Sequence, residues 1–345
     1  MTVTAKDRSA STPSGKVKLP CHCHQPVYKG YFADPFVWTA GGCYYAVGTG
    51  RHRAGKAGRS AGRPDVFLVL RSQNLADWEE LGPALVSPDP ALGTDFWAPE
   101  IACENGRHYM YYSVGFGDKS HHLRIAVSDS PCGPYADSGI ALLTLDDCPF
   151  AIDAHPFRDD DGQWYLFYAR DFPERDGSGE AGTAIVMDRL EGMTRLAGEE
   201  RIVMRPRHNW QLFQRNRPMC GRVLDWHTIE GPAVLRHDGR CYCFYSGGCW
   251  QNETYGVDYA VADNVTGPYS DAGGENGPRV LRTIPGLLTG PGHNSFCAGP
   301  DGASMWIAYH AWDPGFTARR MHLSRVIWTP RGPVCASMEN SSRSS

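Results

Sequence analysis

One kind of segment recurs five times in this 345-residue chain, about every 65 residues, and it constrains the fold more than any other feature. Each copy opens on an acidic residue or a histidine beside small or apolar residues. A polar turn containing Gly and then an aromatic-rich run of β-strand composition follow. The opening residues are Asp34, Glu100, Asp153, Glu230 and His293. Each copy therefore predicts a β-hairpin.

A second pair of strands is predicted after each hairpin. Its strands include Asp65–Arg71, His122–Ser128, Thr183–Asp188, Val257–Ala262 and Met321–Ile327. The 39 glycines and 25 prolines are spread through the turns, and no apolar period of 3.6 residues lasts long enough for a major helix. Four antiparallel strands per unit, repeated around a circle, predict an all-β, five-bladed β-propeller with its active site at one end of the central channel.

The domain organisation follows from the extent of the repeats. We expect a propeller over residues 29–335, an N-terminal extension over residues 1–28 that is partly disordered and helps to close the ring, and a frayed C-terminal tail over residues 336–345. Met1–Val17 has no apolar stretch of the secretory type. The sequence as given therefore predicts a cytoplasmic protein, whereas a signal removed by processing would predict a secreted or periplasmic one.

The net charge limits the possible binding partners, and the cysteines indicate the redox environment. Lys and Arg total 34 against 38 Asp and Glu, and this net charge of −4 argues against binding to nucleic acid or to an anionic membrane surface. The basic stretch from Arg51 to Arg63 is Gly-rich and is typical of a surface loop. Twelve cysteines without a secretory signal indicate free thiols. The cluster from Cys21 to His24 lacks the distant second ligand pair of a standard zinc site, so it receives no role.

Three of the opening residues are acids in apolar surroundings. Asp34, Asp153 and Glu230 could each be a structural acid that caps a turn. Glu100 occupies the corresponding place but follows Trp97-Ala98-Pro99, which indicates a different local role. Acids at equivalent places of repeated units meet at the axis of a ring. Converging carboxyl groups are what the hydrolysis of a sugar acetal requires.

Motifs in all five copies carry a family resemblance between about Tyr31 and Pro333. They are Ala33-Asp34-Pro35-Phe36, Trp97-Ala98-Pro99-Glu100, Ile152-Asp153-Ala154-His155-Pro156-Phe157, Ile229-Glu230-Gly231-Pro232 and Gly292-His293-Asn294-Ser295. Together they closely resemble glycoside hydrolase family 43. The resemblance implies a five-bladed propeller that acts on arabinans, arabinoxylans or xylo-oligosaccharides.

The resemblance also implies roles for the acids. That family inverts the anomeric centre in a single displacement, which needs a base and an acid with room for a water between them. Asp34 matches the base, and Glu230 matches the general acid. Asp153 matches a third acid that raises the pKa of Glu230 and orients it. No cofactor is expected for the chemistry.

One histidine matches a cation site of the family. His293 corresponds to a histidine that faces a calcium or another cation in the channel, often through water. The resemblance therefore implies a structural calcium, and the alternative is a core histidine hydrogen-bonded between units.

Several residues are candidates for contact with substrate. Trp97 and Phe36 lie within the family motifs and offer flat apolar surfaces to a sugar ring. Arg319 matches a late substrate-binding arginine, although a shift of one residue would select Arg320. His155 departs from the common Ile-Asp-Pro pattern and either contacts substrate or holds its turn. Further tryptophans near strand ends are Trp38, Trp250 and Trp312.

The substrate prediction rests on two features. No large C-terminal β-sandwich follows the propeller, and Tyr309-His310-Ala311-Trp312-Asp313 resembles arabinan-acting relatives. The chain is therefore predicted to be an α-L-arabinofuranosidase or exo-arabinanase acting on arabinan or arabino-oligosaccharides. The alternatives are a β-xylosidase and, in another class, a non-catalytic carbohydrate-binding propeller. The sequence gives no prediction of the oligomeric state.

Overall fold

Short strands are the main secondary structure of the computed structural model, which describes residues 24–50, 66–86, 88–143 and 148–339. The basic stretch 51–63 and the residues Cys21–Cys23 lie outside the described residues. In the described part, no helix combines the length and the apolar composition needed to cross a membrane.

The described strands form five consecutive antiparallel groups. Group one contains β1 (Ala33–Ala40), β2 (Cys43–Thr49), β3 (Val66–Ser72) and β4 (Glu79–Leu85). Group two contains β5 (Asp95–Glu104), β6 (Arg107–Phe116), β7 (Lys119–Ser128) and β8 (Ala136–Ala141). Group three contains β9 (Ala151–Arg158), β10 (Trp164–Phe172), β11 (Gly182–Glu191), β12 (Arg195–Leu196) and β13 (Arg201–Met204). Group four contains β14 (Leu212–Met219), β15 (Arg222–His237), β16 (Arg240–Gly247) and β17 (Gly256–Ala262). Group five contains β18 (Thr289–Ala298), β19 (Met305–Trp312), β20 (Arg319–Thr329) and β21 (Gly332–Cys335).

Groups one, two and five each form a separate sheet of four strands, as predicted. In group three both β12 and β13 pair with β11. In group four β14 pairs with the early part of β15, and the outer edge of β17 is paired through two isolated bridges, Val257 with Leu281 and Val261 with Ser270. A parallel pairing of β11 with β15 joins these two groups into one sheet.

The inner strands close a ring. β1 contacts β5, β5 contacts β9, β9 contacts β15, β15 contacts β18, and β18 contacts β1. This arrangement confirms the predicted all-β propeller. The loops at the start of the inner strands therefore surround one end of a central channel, and the hairpin turns of the same strands lie at the other end.

Apolar side chains between neighbouring groups hold the ring together. Among the described residues there are five apolar clusters, and each lies between two adjacent groups. Tyr112 and Val47, for example, belong to the cluster between groups one and two. Burying one such side chain contributes roughly 1.5–3 kcal/mol. Phe36 and Trp38 pack against this cluster and stack on each other, so Phe36 contributes to the packing between groups, and its contact with substrate stays a prediction.

The chain ends are packed where the structure describes them. The N–H of Val27 donates to the carbonyl of Met321 at 2.9 Å, so the end of the predicted N-terminal extension contacts group five. A short helix, α1 (Ala336–Glu339), follows β21. Ser337 in this helix is buried and its N–H donates to Oγ of Ser324. The first residues of the predicted frayed tail are therefore held against β20, and the domain boundaries stay predictions.

Each inner strand contains a bulge with one residue in the left-handed backbone region. These residues are Asp34 (φ 50°), Ala98 (45°), Asp153 (59°), Gly231 (57°) and His293 (51°). Such a conformation is costly for a residue with a side chain and is common next to active sites. The bulges align the five copies on these residues.

This alignment corrects the alignment made from the sequence. Asp34, Asp153 and His293 do occupy equivalent positions. Glu230, however, precedes its bulge residue by one position, and Glu100 follows its own by two. Because neighbouring positions of a strand present their side chains in different directions, the acids are not repeats of one geometry.

Candidate active site

The backbone N–H of a bulge residue is held by a side chain from the preceding group. The pairs are Ala98 with Oγ1 of Thr49 at 2.8 Å, His293 with Oγ of Ser246 at 2.7 Å, and Asp34 with Nδ1 of His310 at 3.1 Å. These acceptors occupy equivalent places on the second strand of their groups, opposite Ala33, Glu230 and Gly292. These three pairs link group one to two, four to five, and five to one at the end of the channel that carries the acids.

Group three makes this link differently. At the equivalent position of its second strand, opposite Ile152, group three has Ala169, whose side chain cannot accept a hydrogen bond. Oδ2 of Asp153 accepts the N–H of Gly231 instead, at 2.9 Å. Asp153 therefore fixes the backbone immediately after Glu230.

Three cationic or polar groups converge on the carboxylate of Asp34. Its Oδ1 lies 3.2 Å from Nη1 of Arg319, 3.2 Å from Nδ1 of His310 and 3.4 Å from Nδ1 of His293. Burial opposes ionisation, but the charge of Arg319 above all holds the pKa of Asp34 well below its ordinary value. Asp34 is therefore a carboxylate at neutral pH.

Arg319 is fixed between Asp34 and aromatic rings. Its Nε and Nη2 lie 3.1 and 2.9 Å from the hydroxyl of Tyr31, and its guanidinium lies 4.5 Å above the ring of Trp250. Arg320 points elsewhere and pairs with Asp313 at 3.0 Å. Of the two arginines that the sequence left open, the structure brings Arg319 to the acids.

Glu230 has the opposite protonation tendency to Asp34. Burial, helped by the negative charge of Asp34, raises its pKa to about 7 against the opposing effect of the Tyr255 hydroxyl, which donates to Oε1 at 2.8 Å. The side chain is only partly buried, so a ligand can reach it. A carboxyl with this pKa keeps its proton in a large fraction of molecules near neutrality.

Asp153 and Glu230 titrate as a pair. Burial and the charge of Glu230 raise the pKa of Asp153 well above its ordinary value, whereas the N–H of Gly231 favours its ionised form. Two neighbouring carboxyl groups that repel each other keep one proton between them. The site therefore combines one carboxylate with one protonated acid, which is the combination that general acid–base catalysis uses.

His155 links three groups of the ring. Its Nε2 accepts the N–H of Val234 at 3.0 Å, and its Nδ1 lies 2.7 Å from Oε2 of Glu100. Both ring nitrogens of this buried histidine are thus engaged by protein, which speaks against contact with substrate and favours the alternative that it holds its turn. Glu100 serves this link, and its charge also acts on Asp153 and His293.

Trp97 keeps a partly exposed ring. It stacks on His121 with ring centroids 3.6 Å apart and planes 20° apart. His121 is held in turn by its Nε2, 2.8 Å from the carbonyl of Gly117. A supported aromatic face of this kind suits a sugar ring, so Trp97 stays a candidate.

His293 faces Asp34 and not a set of metal ligands. No group of three or more His, Cys, Asp or Glu side chains that could hold a metal ion occurs in the described part of the chain. Protein side chains therefore do not form a complete coordination sphere there, and a calcium would need water for most of its six to eight ligands. The calcium site stays a prediction.

Sequence reasoning did not single out three residues of the site as functional. Tyr31 and Tyr255 contact Arg319 and Glu230 through their hydroxyls, and His310 contacts Asp34. His310 stands in the aromatic-rich run of the fifth copy, at the place where three of the other four copies have Ser or Thr. That exchange is the only local signal of its role.

Known proteins resemble this chain over most of its length. The sequence profile of "Glycosyl hydrolases family 43" matches residues 23–334. A β-D-galactofuranosidase of Aspergillus niger is 27% identical over 308 residues, covering 85% of this chain and 78% of that protein. An extracellular exo-α-(1→5)-L-arabinofuranosidase of Streptomyces avermitilis is 24% identical over 70% of this chain, and this chain spans 49% of its length.

Solved structures of family-43 enzymes are similar to this chain. The crystal structure of a thermostable family-43 glycoside hydrolase superposes with a TM-score of 0.72 at 29% identity, covering 88% of this chain and 92% of that one. Further relatives at 24–26% identity are named as an endo-arabinanase of Bacillus subtilis and a xylosidase/arabinosidase of Bacteroides ovatus.

Proposed function

The chain belongs to family 43 of the glycosyl hydrolases, and we propose that it is an inverting enzyme that releases L-arabinose from arabinan or arabino-oligosaccharides. One observation carries the proposal. Asp34 and Glu230 face one site with opposite protonation, since the pKa of Asp34 lies well below its ordinary value and that of Glu230 is raised to about 7.

These protonation states support a single displacement. The carboxylate of Asp34 accepts a proton from a water molecule as the water oxygen bonds to the anomeric carbon. The bond from that carbon to the leaving oxygen breaks, and Glu230 gives its proton to this oxygen. Asp153 acts as a positioning residue, because it holds the N–H of Gly231 next to Glu230 and its own pKa responds to the charge of Glu230.

The relatives favour a furanoside as substrate. The galactofuranosidase and the arabinofuranosidase both act, by their names, on five-membered sugar rings. A β-D-galactofuranoside has the same ring configuration as an α-L-arabinofuranoside and carries one more exocyclic carbon. A galactofuranosidase is therefore the second candidate, and β-xylosidase remains the alternative from a pyranoside class.

Three aryl glycosides decide between these activities. We expect p-nitrophenyl α-L-arabinofuranoside to be hydrolysed faster than the β-D-galactofuranoside and the β-D-xylopyranoside. Glu230→Gln should lower kcat on natural oligosaccharides by about 10²–10⁴-fold, because the general acid is lost. Asp238→Asn is the matched control, since this exposed acid lies at the far turn of the same strand.

The outcomes separate the candidates. A clear preference for the galactofuranoside or the xyloside would replace arabinose as the substrate. Binding of oligosaccharide without turnover of any glycoside would instead identify a carbohydrate-binding propeller. Proton NMR of the first sugar released reports the anomer, and retention of configuration would overturn the single displacement.

We also propose that the enzyme acts on short oligosaccharides inside the cell. All ten cysteines of the described residues are free thiols, which suits a reducing compartment. The Streptomyces relative is named as extracellular, so the two locations predict different substrates: imported oligosaccharides or external polymer. Fractionation of the source cells distinguishes them, and activity confined to the medium would contradict our proposal.

A further inference from the structure

Three aromatic rings leave the candidate site as a continuous row. The rings of Trp250 and Trp312 are nearly parallel, with centroids 6.3 Å apart and planes 13° apart. The ring of Phe316 follows, 5.8 Å from that of Trp312 and tilted by 34°. We name Trp250, Trp312 and Phe316 the aromatic platform.

The platform begins beside the proposed base. The guanidinium of Arg319 lies 4.5 Å above the ring of Trp250 and 3.2 Å from the carboxylate of Asp34. Nε1 of Trp312 donates to the carbonyl of Trp250 at 2.8 Å, which locks the loop of group four to that of group five. The row therefore leads from the acids outward across two groups.

Phe316 is held in an unfavourable and exposed position. Its backbone lies in the left-handed region (φ 53°), which costs a residue with a side chain roughly 1–2 kcal/mol. Its side chain is 46% exposed, so burial of the ring does not offset this strain. Strained, exposed aromatic residues next to a cleft point to a role in binding.

The loop that carries Phe316 is rigid. Asp313 accepts the N–H and the hydroxyl of Thr317, both at 2.7 Å, and pairs with Arg320 at 3.0 Å. The N–H of Phe316 donates to the carbonyl of Asp313 at 2.9 Å. The ring is thus presented in a fixed orientation before any ligand arrives, which lowers the entropy lost on binding.

We propose that the aromatic platform binds the sugar units of a linear oligosaccharide beyond the unit that is cleaved, with Phe316 stacking on the outermost bound unit. The C–H face of a sugar ring packs against a flat aromatic ring, and exposed rings in a row match successive units of a chain. This inference rests on the proposed function and adds a preference for oligosaccharides over small aryl glycosides.

Phe316→Ala and Phe316→Gly test the platform. The second variant also relieves the backbone strain, so it folds even if the first does not. We expect the ratio of kcat/KM for α-1,5-linked arabinotetraose to that for p-nitrophenyl α-L-arabinofuranoside to fall about tenfold in both, through KM of the tetrasaccharide. Phe316→Tyr should restore the ratio, because it keeps the ring.

Ile202→Ala is the control. This residue is 50% exposed on β13 at the outer edge of group three, so its truncation removes similar exposed apolar surface far from the platform. The ratio should stay within twofold of wild type. An unchanged ratio in Phe316→Ala and Phe316→Gly would overturn the proposal.

A binding measurement separates the platform from the reaction. In the Glu230→Gln background, Kd of arabinotetraose from tryptophan fluorescence should rise about tenfold on adding Phe316→Gly. If wild type hydrolyses no arabinoside but this difference in Kd is found, the proposed activity is wrong and the platform stands. If the arabinoside is hydrolysed and Kd is equal in both proteins, the platform is wrong and the activity stands.

Discussion

Nδ1 of His310 lies 3.1 Å from the backbone nitrogen of Asp34 and 3.2 Å from Oδ1 of the same residue. One nitrogen cannot accept from the N–H and donate to the carboxylate in the same tautomer. Burial lowers the pKa of His310 to about 4, so the ring is neutral at pH 7. His310 therefore fixes the strained backbone of Asp34 without adding a full charge beside it.

His310→Ser should be more stable than His310→Ala by about 1 kcal/mol, because Ser246 makes the same link from the equivalent place and a serine can accept the N–H of Asp34. Thermal or urea unfolding of the two variants measures the difference. Equal stability would show that the link at Asp34 contributes nothing to folding.

Tyr255→Phe should move the basic limb of the pH profile of kcat/KM to higher pH. The general acid must be protonated, so activity is present below the pKa of Glu230, about 7, and is lost as pH rises through it. The hydroxyl of Tyr255 favours the ionised form, and its loss therefore raises the pKa of Glu230. A limb that stays in place or moves to lower pH contradicts this assignment of the acid.

Arg319→Met should move the acidic limb to higher pH. The charge of Arg319 helps to hold the pKa of Asp34 low, and without it the base is protonated at a higher pH. Arg320→Met is the matched control, because this neighbour pairs with Asp313. If both variants leave the acidic limb where it is in wild type, Asp34 is not the base that the limb reports.

Asp153→Asn and Asp153→Ala should separate two roles of this acid. Asparagine keeps an acceptor for the N–H of Gly231, so only the alanine variant should lose about 1–3 kcal/mol of stability. Both variants remove the repulsion between the two carboxyl groups, which lowers the pKa of Glu230 and moves the basic limb to lower pH. Unfolding and pH–rate profiles measure the two effects, and a basic limb unmoved in both variants would contradict the coupling.

Local residue patterns were enough to predict the repeat and to propose three acids for the site. Hairpins with Gly turns and aromatic-rich strands predicted the all-β propeller. The apolar surroundings of Asp34, Asp153 and Glu230 indicated that these three acids belong to the site. The inference about the fold holds because strand composition and turn residues are local properties that each copy carries in its own segment, whereas the roles of the acids stay predictions.

Only the tertiary structure decided how the copies align and which neighbours the acids have. A bulge shifts Glu230 and Glu100 away from the place of Asp34, and no residue pattern marks a bulge in advance. The folded structure also places Arg319, rather than Arg320, beside Asp34, and it brings His310 there from another strand. Such contacts join residues nearly 300 positions apart, so they exist only once the ring has closed.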